Sequence, residues 1–427
     1  MKFISTRGYS SAFSLSEAIQ VGLAPDGGLF VSETLPHFLI EDFQNLHTFS
    51  VIAARALGPF FEVDGLKPHL NSICDRAFNF KIAVKDLPHQ TSVLELFHGP
   101  TSAFKDVGAR FLAESLSHIP GIHPQTILVA TSGDTGGAVA SAFYQRPHFE
   151  VVILFPKNRV SARQRQQLTC FGENIHAFEV DGNFDLCQKL VKAALAESTL
   201  QQIKKLSSAN SINIGRLLPQ MTYYVMASVL HFRKHQKPIS LIIPSGNAGN
   251  AFAAILTKQM GLPIDRIGLA TNANKVIPNF FDSGQYSPYP SIPTLANAMD
   301  VGNPSNMERI IFLESHGQFS LNDDYFSISV SDDSIRRMIA QGEEKYGEIW
   351  CPHTATAVYA REQQDLSHPY TVVATAHPAK FETVVEPLIK HPLEIPESLK
   401  KLLSLPTQVT KLSGDTDEFF RAVKSLA

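Results

Sequence analysis

The chain has 427 residues, 44% of them hydrophobic and 18% charged, enough for sizeable buried cores and for two or three domains. A formal net charge of −3 without a long basic run argues against nucleic acid as the main partner, and no apolar run reaches the ~18 residues that a bilayer span needs. The four cysteines, Cys74, Cys170, Cys187 and Cys351, lie far apart and form no CxxC, so neither a zinc site nor a disulfide framework is expected. The N-terminus MKFISTRGYSS lacks the apolar core of a secretory signal, and the expected location is the reducing cytoplasm.

Residues 1–90 read as a mainly helical N-terminal domain, with helical spacing of apolar residues over 15–23 and 51–57 and a turn at Pro25-Asp26-Gly27-Gly28. Over residues 91–391 the pattern becomes strand, loop, helix, repeated. Strands are expected at 126–131, 151–155, 174–180, 239–243, 266–271, 325–330 and 371–376, with helices at 185–198, 217–231 and 335–346 among those between them. This alternation predicts an α/β fold whose largely parallel sheet is covered on both faces. Residues 278–306, rich in Pro, Ser and Asn, form a long irregular excursion, and residues 392–427 read as a helical tail.

One lysine resists explanation as solvent decoration. In ELFHGPTSAFKDVGARF (95–111) an apolar run ends at Phe97, Gly99-Pro100 breaks it, and Thr101 or Ser102 caps a helix starting near Ala103. Lys105 then sits in the first helical turn, where the helix dipole and partial burial beside Phe104 both favour the neutral amine. A neutral lysine amine is a nucleophile, and its commonest use with an aldehyde cofactor is a Schiff base. The bland alternative is a lysine that snorkels out of a partly buried helix.

Two loops follow apolar strands and open helices: TSGDTGG (131–137) and PSGNAGN (244–250). Each is an anion cradle by geometry, since glycine lets successive N–H groups converge on an anion at the positive end of the next helix. Neither is a P-loop or a GxGxxG turn, which disfavours nucleotides. A third cluster, SANSINIGR (208–216), places Ser211, Asn213 and Arg216 ahead of a long helix, and hydroxyl, amide and guanidinium together suit a phosphate or carboxylate. A fourth, ATAHPAKF (374–381), follows a strand whose carboxyl end faces the ligand crevice of an open α/β sheet, so Thr375 is placed to offer a hydroxyl to a heterocycle nitrogen. CPHTATAVY (351–359) opens another helix; a place lining the same crevice stays open for it, although its apolar body reads most simply as core.

HGPTSAFKD, TSGDTG, SANSINIGR, PSGNAGN, TLANAMDVGNPSN and TAHPAKF, in an ordered set that spans most of the chain, closely resemble the threonine synthase family in its longer bacterial and fungal form. LSEAIQVGLAPDGGLF (15–30) is similar to that family's extra N-terminal domain. The resemblance implies two open, mostly parallel-sheet lobes of the fold type II kind and pyridoxal 5'-phosphate as cofactor. It also implies O-phospho-L-homoserine as substrate, with L-threonine and phosphate as products. By the same match, Lys105 is the Schiff-base lysine, Ser245, Gly246, Asn247, Ala248 and Gly249 cradle the cofactor phosphate, and Thr375 meets the pyridine nitrogen. Asp134 takes the position where related enzymes place an asparagine near the ring hydroxyl, and an anion there behaves differently from an amide. Ser132, Thr135, Ser211, Asn213 and Arg216 match residues that hold the substrate.

The residues agree with that implication in number: substrate phosphate, substrate carboxylate and cofactor phosphate are three anions, and the two loops and SANSINIGR are three cradles without a metal. A phospho-lyase releasing 2-oxobutyrate, a cysteine-synthase type of enzyme and a catalytically silent metabolite-binding homologue stay open on the motifs. A monomer or weak homo-oligomer that engages no nucleic acid and no membrane is the expected form.

Overall fold

The computed structural model describes residues 1–120 and 124–426. Near the N-terminus β1 (Phe3–Ser5) and β2 (Phe30–Ser32) pair antiparallel around the helix Leu15–Val21, which a capping box of Ser14 and Glu17 starts. Such a box satisfies two orphan donors and is worth about 1 kcal/mol. Next come β3 (Ala83–Leu87), β4 (Thr91–Glu95), β5 (Gln125–Ala130), β6 (Phe149–Pro156), β7 (Ile175–Val180) and β8 (Leu206–Ser208). Then follow β9 (Ile239–Pro244), β10 (Ile264–Thr271), β11 (Tyr325–Ser329), β12 (Tyr370–Ala374) and β13 (Thr410–Leu412).

These form two larger sheets. One has six strands in the order β11-β10-β9-β12-β4-β3, parallel except for its β3 edge, and the other five in the order β13-β7-β6-β5-β8, parallel throughout. The helix Lys105–Ser117 carries the chain from the first sheet to the second and is buried around most of its circumference. Even Asp106 and Glu114 on its polar stripe are buried, as befits a helix packed between layers. Phe111 and Leu112 on it join one apolar core that reaches from Phe3 and Phe60 to Phe252, so the N-terminal segment packs onto the lobes.

The mainly helical segment 1–90 also carries short strands, and β3 at its end pairs with β4 in the six-stranded sheet. Two expectations are revised. The tail is not simply helical: between the helices Glu397–Leu403 and Thr416–Lys424 it lays β13 along β7, closing an open edge of the second sheet. The helix expected from 217 begins at Met221, after the 3-10 turn Leu218–Gln220 that contains Pro219, and runs to His235. The stretch 278–306 holds the end of the helix Val276–Ser283 and a short turn, Asn297–Met299, and no strand. Among the described residues no helix is long and apolar enough to cross a membrane.

Candidate active site

The parallel topology brings four loops together, because each leaves the carboxyl end of a strand: the loop before Lys105 after β4, 131–134 after β5, 244–248 after β9 and Thr375 after β12. A cleft between the two sheets is lined by Phe104, Lys105, Asp134, Ser211, Thr375 and residues 244–250, together with Gln220, Ala298, Met299 and His353. It therefore gathers the expected lysine, both glycine loops and the serine of SANSINIGR.

Lys105 is the first residue of its helix. Neither Thr101 nor Ser102 caps that helix. Instead Asp106 reaches back, its carboxylate accepting from Thr101 N (2.9 Å) and Thr101 Oγ1 (2.7 Å), and Ser102 adopts a left-handed backbone at φ 56°. A second clamp ties this loop to β12: Phe104 N–H donates to the carbonyl of Thr375 (2.8 Å) and His377 N–H to that of Ser102 (3.0 Å). Lys105 and Thr375 are thereby held on one rigid edge. The Lys105 amine is half-buried, 4.4 Å from the centre of the Phe104 ring. Burial first, and the Arg216 guanidinium second, draw its pKa down to about 8, against the opposing pull of Asp134.

Asp134 is buried and paired. Its Oδ1 accepts from Lys380 Nζ at 2.9 Å and from Gln164 Nε2 at 3.0 Å, and Lys380, wholly buried, also donates to the carbonyl of Thr101 (2.7 Å). Burial alone would raise this carboxyl, but Lys380, His353 and Gln164 outweigh it and hold it below its ordinary value. An anion at this position is therefore sustained by a lysine 246 positions further along, which neutralises it.

The loop 244–248 is built for close approach. A Cβ on Gly246 would lie 2.6 Å from the Cα of Met299, so only glycine lets the 294–300 segment close over the loop. Ala248 is left-handed at φ 58° and opens the helix Gly249–Gln259. Left-handed backbone costs a non-glycine residue about 1–2 kcal/mol, a strain that concentrates at ligand sites. Asn247 donates to Ser211 Oγ (2.7 Å) and accepts from Ser305 N. Asn306 Nδ2 donates to the same serine oxygen at 3.2 Å. With two amides donating to it, the Ser211 hydroxyl keeps its own proton for a ligand.

Two buried donors of the cleft wall have no partner, Asn250 Nδ2 and His353 Nδ1, and a third unpartnered donor, Arg216 Nε, lies behind the wall against the Lys105 helix. Arg216 packs under the Lys105 helix against Gly108, where a Cβ would lie 2.4 Å from its carbonyl, and gives one amino group to the Ala209 carbonyl. Burial lowers its pKa to about 10. The amide of Asn250 is oriented by Tyr223 and Tyr224, whose hydroxyls both donate to Oδ1. An unsatisfied buried donor typically costs about 1–3 kcal/mol, and two in one cleft wall suit a ligand with acceptor oxygens.

Of the other expected residues, Thr135 is half-buried in the first turn of the helix Asp134–Phe143. Ser132 lines an adjoining groove beside Asn297 rather than the Lys105 cleft. Asn213 is a correction: it caps the helix Ile214–Leu217 by accepting from Gly215 N, and its amide donates to the carbonyls of Ile19 and Ser208. Its polar atoms are used in fastening the N-terminal segment, so it is a structural residue. Sequence reading passes over Lys380, His353, Gln164, Asn250 and Arg309. Arg309, fully buried, binds the carbonyls of Phe30, Ser211 and Ile212 and fixes the Ser211 turn. Lys380 lies inside ATAHPAKF and His353 inside CPHTATAVY, and the signal for both is a charged or polar side chain in an otherwise apolar stretch.

Comparison with known proteins gives a consistent result. The chain matches the family model described as pyridoxal-phosphate dependent enzyme over residues 91–377, threonine synthase N terminus over 2–78 and threonine synthase, C-terminal over 354–423. A threonine synthase from Serratia marcescens is 39% identical, with 95% of each chain covered. The crystal structure of threonine synthase from Escherichia coli superposes with a TM-score of 0.93 at 37% identity, covering 99% of each chain. A pyridoxal-phosphate-bound threonine synthase from Brucella melitensis reaches a TM-score of 0.90 at 32% identity, again over 99% of each chain.

Proposed function

Since this chain belongs to the threonine synthase family of pyridoxal-phosphate-dependent lyases of fold type II, we propose that it converts O-phospho-L-homoserine and water to L-threonine and phosphate at the Lys105 cleft. The observation that carries the reading is a lysine with a pKa near 8 at the head of a helix, in a cleft ringed by donors without partners. The residues fit the cofactor: the unpartnered donors suit a ligand rich in acceptor oxygens, and the 244–249 turn leads into the positive end of the helix Gly249–Gln259.

Lys105 would bond the aldehyde, residues 245–249 the phosphate, and Thr375 the ring nitrogen, with Asp134 kept neutral in sum by Lys380 near the ring hydroxyl. Bound pyridoxal phosphate supplies an electron sink that acidifies the protons of an attached amino acid. Once free of the cofactor, the Lys105 amine would be placed to act as general base at Cα and then at Cβ of the substrate, giving up the first proton before it takes the second. Phosphate would depart from Cγ, water would add its hydroxyl at Cβ and pass its remaining proton to the released phosphate, and the two protons taken from carbon would return to Cγ and Cα. Arg216, Thr135 and the Ser211 hydroxyl hold the phosphate until it leaves, while Ser132 stays in the adjoining groove. Equal yields of threonine and phosphate are the expected result, and 2-oxobutyrate as main product would refute this reading in favour of a phospho-lyase.

Arg216→Ala should leave the visible absorption of the bound cofactor intact and lower kcat/KM for phosphohomoserine roughly ten- to a hundredfold. That is the size of one lost charge-assisted contact, about 1.5–3 kcal/mol. Arg216→Lys should recover only part, since an ammonium makes no two-pronged contact. Unchanged efficiency in Arg216→Ala removes this residue from the site. Gly246→Val should weaken pyridoxal phosphate binding at least tenfold, a larger effect than its fall in melting temperature, because the added carbons press on the backbone of the buried Met299 in the segment that closes over the loop. Normal affinity with a much lower melting temperature would mean that the glycine serves packing.

On a net charge of −3 and four buried unpaired cysteines, we also infer a cytoplasmic monomer or weak homo-oligomer that engages neither nucleic acid nor membrane. Light scattering on the eluted protein tests the assembly state.

A further inference from the structure

His353 is the second residue of the helix Pro352–Glu362 and is 4% exposed. Its Nε2 accepts the backbone N–H of Ala298 at 3.1 Å. A nitrogen that accepts carries no proton, so the neutral ring keeps its hydrogen on Nδ1. That Nδ1–H has no partner, although it is buried and the ring forms part of the cleft wall beside Lys105, Asp134 and Thr375. The Phe381 ring packs against the imidazole at a steep angle, 4.8 Å away between centres. Burial, with Lys105 and Lys380 adding to it and Asp134 opposing, lowers its pKa to about 4, so the ring stays neutral over the working range.

We propose that His353 is a ligand-binding residue of this cleft: Nδ1–H donates to an acceptor oxygen of the molecule held at Lys105, while Nε2 fastens the 294–300 segment through Ala298. The proposal rests on the pyridoxal phosphate reading of the cleft and adds to it a donor contributed by the motif CPHTATAVY, for which sequence alone names no donor. The acceptor belongs either to the cofactor or to the substrate. In both cases the function is the same, a fixed neutral donor that orients an oxygen without adding a charge next to Lys105.

Two substitutions separate the two ring nitrogens. His353→Gln reaches the Ala298 amide with its side-chain oxygen but has no donor at the Nδ1 position. His353→Asn has an amide N–H near Nδ1 and loses the Ala298 contact. Apoprotein of each form is titrated with pyridoxal phosphate, following visible absorbance and the fluorescence of Trp350, the single tryptophan, three positions from His353. Melting temperatures of the apoproteins and the KM and kcat for phosphohomoserine complete the comparison.

His353→Gln is expected to bind the cofactor roughly ten- to a hundredfold more weakly if the acceptor is on the cofactor. If it is on the substrate, cofactor affinity holds and KM rises by a similar factor with a smaller change in kcat. His353→Asn should restore the affected quantity to within about threefold of the parent, with a lower apoprotein melting temperature. The proposal is overturned if His353→Gln keeps both quantities within about threefold, or if His353→Asn loses as much as His353→Gln, for then the ring serves only Ala298. A parent protein that takes up no pyridoxal phosphate would overturn the cofactor reading itself, and this inference with it.

Discussion

Lys105→Ala is expected to abolish the visible absorption of the bound cofactor and to lower turnover of phosphohomoserine by a factor of at least about 10³, since positioned proton transfer alone contributes roughly 10²–10⁴. The apoprotein should melt no lower than the parent. The reason lies in the sign of the electrostatics at this position: burial and Arg216 disfavour the lysine cation and hold its pKa near 8, below the ordinary 10.5. Removing a strained cation does not cost stability. A variant that keeps its colour and its turnover would refute the assignment of Lys105.

The same shift fixes a pH dependence. Between pH 8 and 10.5 the unfolded chain binds a proton at this lysine that the folded chain does not, so apoprotein stability rises with pH across that window. Below pH 8 both states carry the proton and the full penalty stands. The slope should vanish in Lys105→Ala. Capture of the cofactor aldehyde needs the neutral amine, about one tenth of the population at pH 7 and about nine tenths at pH 9. Its rate in the apoprotein should therefore rise nearly tenfold over that interval and then level off.

Lys380→Met should destabilise the protein more than Lys105→Ala or Gly246→Val. The ammonium is wholly buried, with Asp134 at 2.9 Å and the Thr101 carbonyl at 2.7 Å. Deleting one partner of a buried pair leaves the other charge uncompensated, a loss of about 3–5 kcal/mol. Denaturant titration at neutral pH reads it directly. Asp134→Asn combined with Lys380→Met should regain much of it, because an amide at 134 needs no counter-charge and still meets Gln164.

Acid behaviour gives a second readout with opposite signs in the two proteins. In the parent, Asp134 titrates below its ordinary value of 3.8. Its contribution to stability is therefore complete above that value and is lost as pH falls through the lower folded pKa. Without Lys380, burial dominates and the carboxyl pKa rises, so the variant should gain relative stability on acidification from neutral pH. Equal acid profiles in both proteins would show that Lys380 does not govern Asp134.

What the sequence determined by itself is what short-range physics controls. Gly99-Pro100 ends the strand before Lys105 and sets the start of the next helix, so the position of Lys105 in a first turn was legible without a fold. Strand, glycine turn and helix at 126–143 and 239–259 were legible for the same reason, as periodicity and turn chemistry act over about ten residues. Register over hundreds of residues is invisible to such rules. Only the adjacency of β12 to β4, and the meeting of the two sheets, decides that Lys380 neutralises Asp134 and that His353 borders Lys105. The same applies to Asn213, whose side chain looked like a ligand contact until the N-terminal segment supplied the Ile19 carbonyl it binds. The tail strand β13 has three residues, too few to show a period, and is a strand only because β7 offers it an open edge. Local chemistry wrote the loops of the site, and long-range packing chose which buried charges and donors face one another across it.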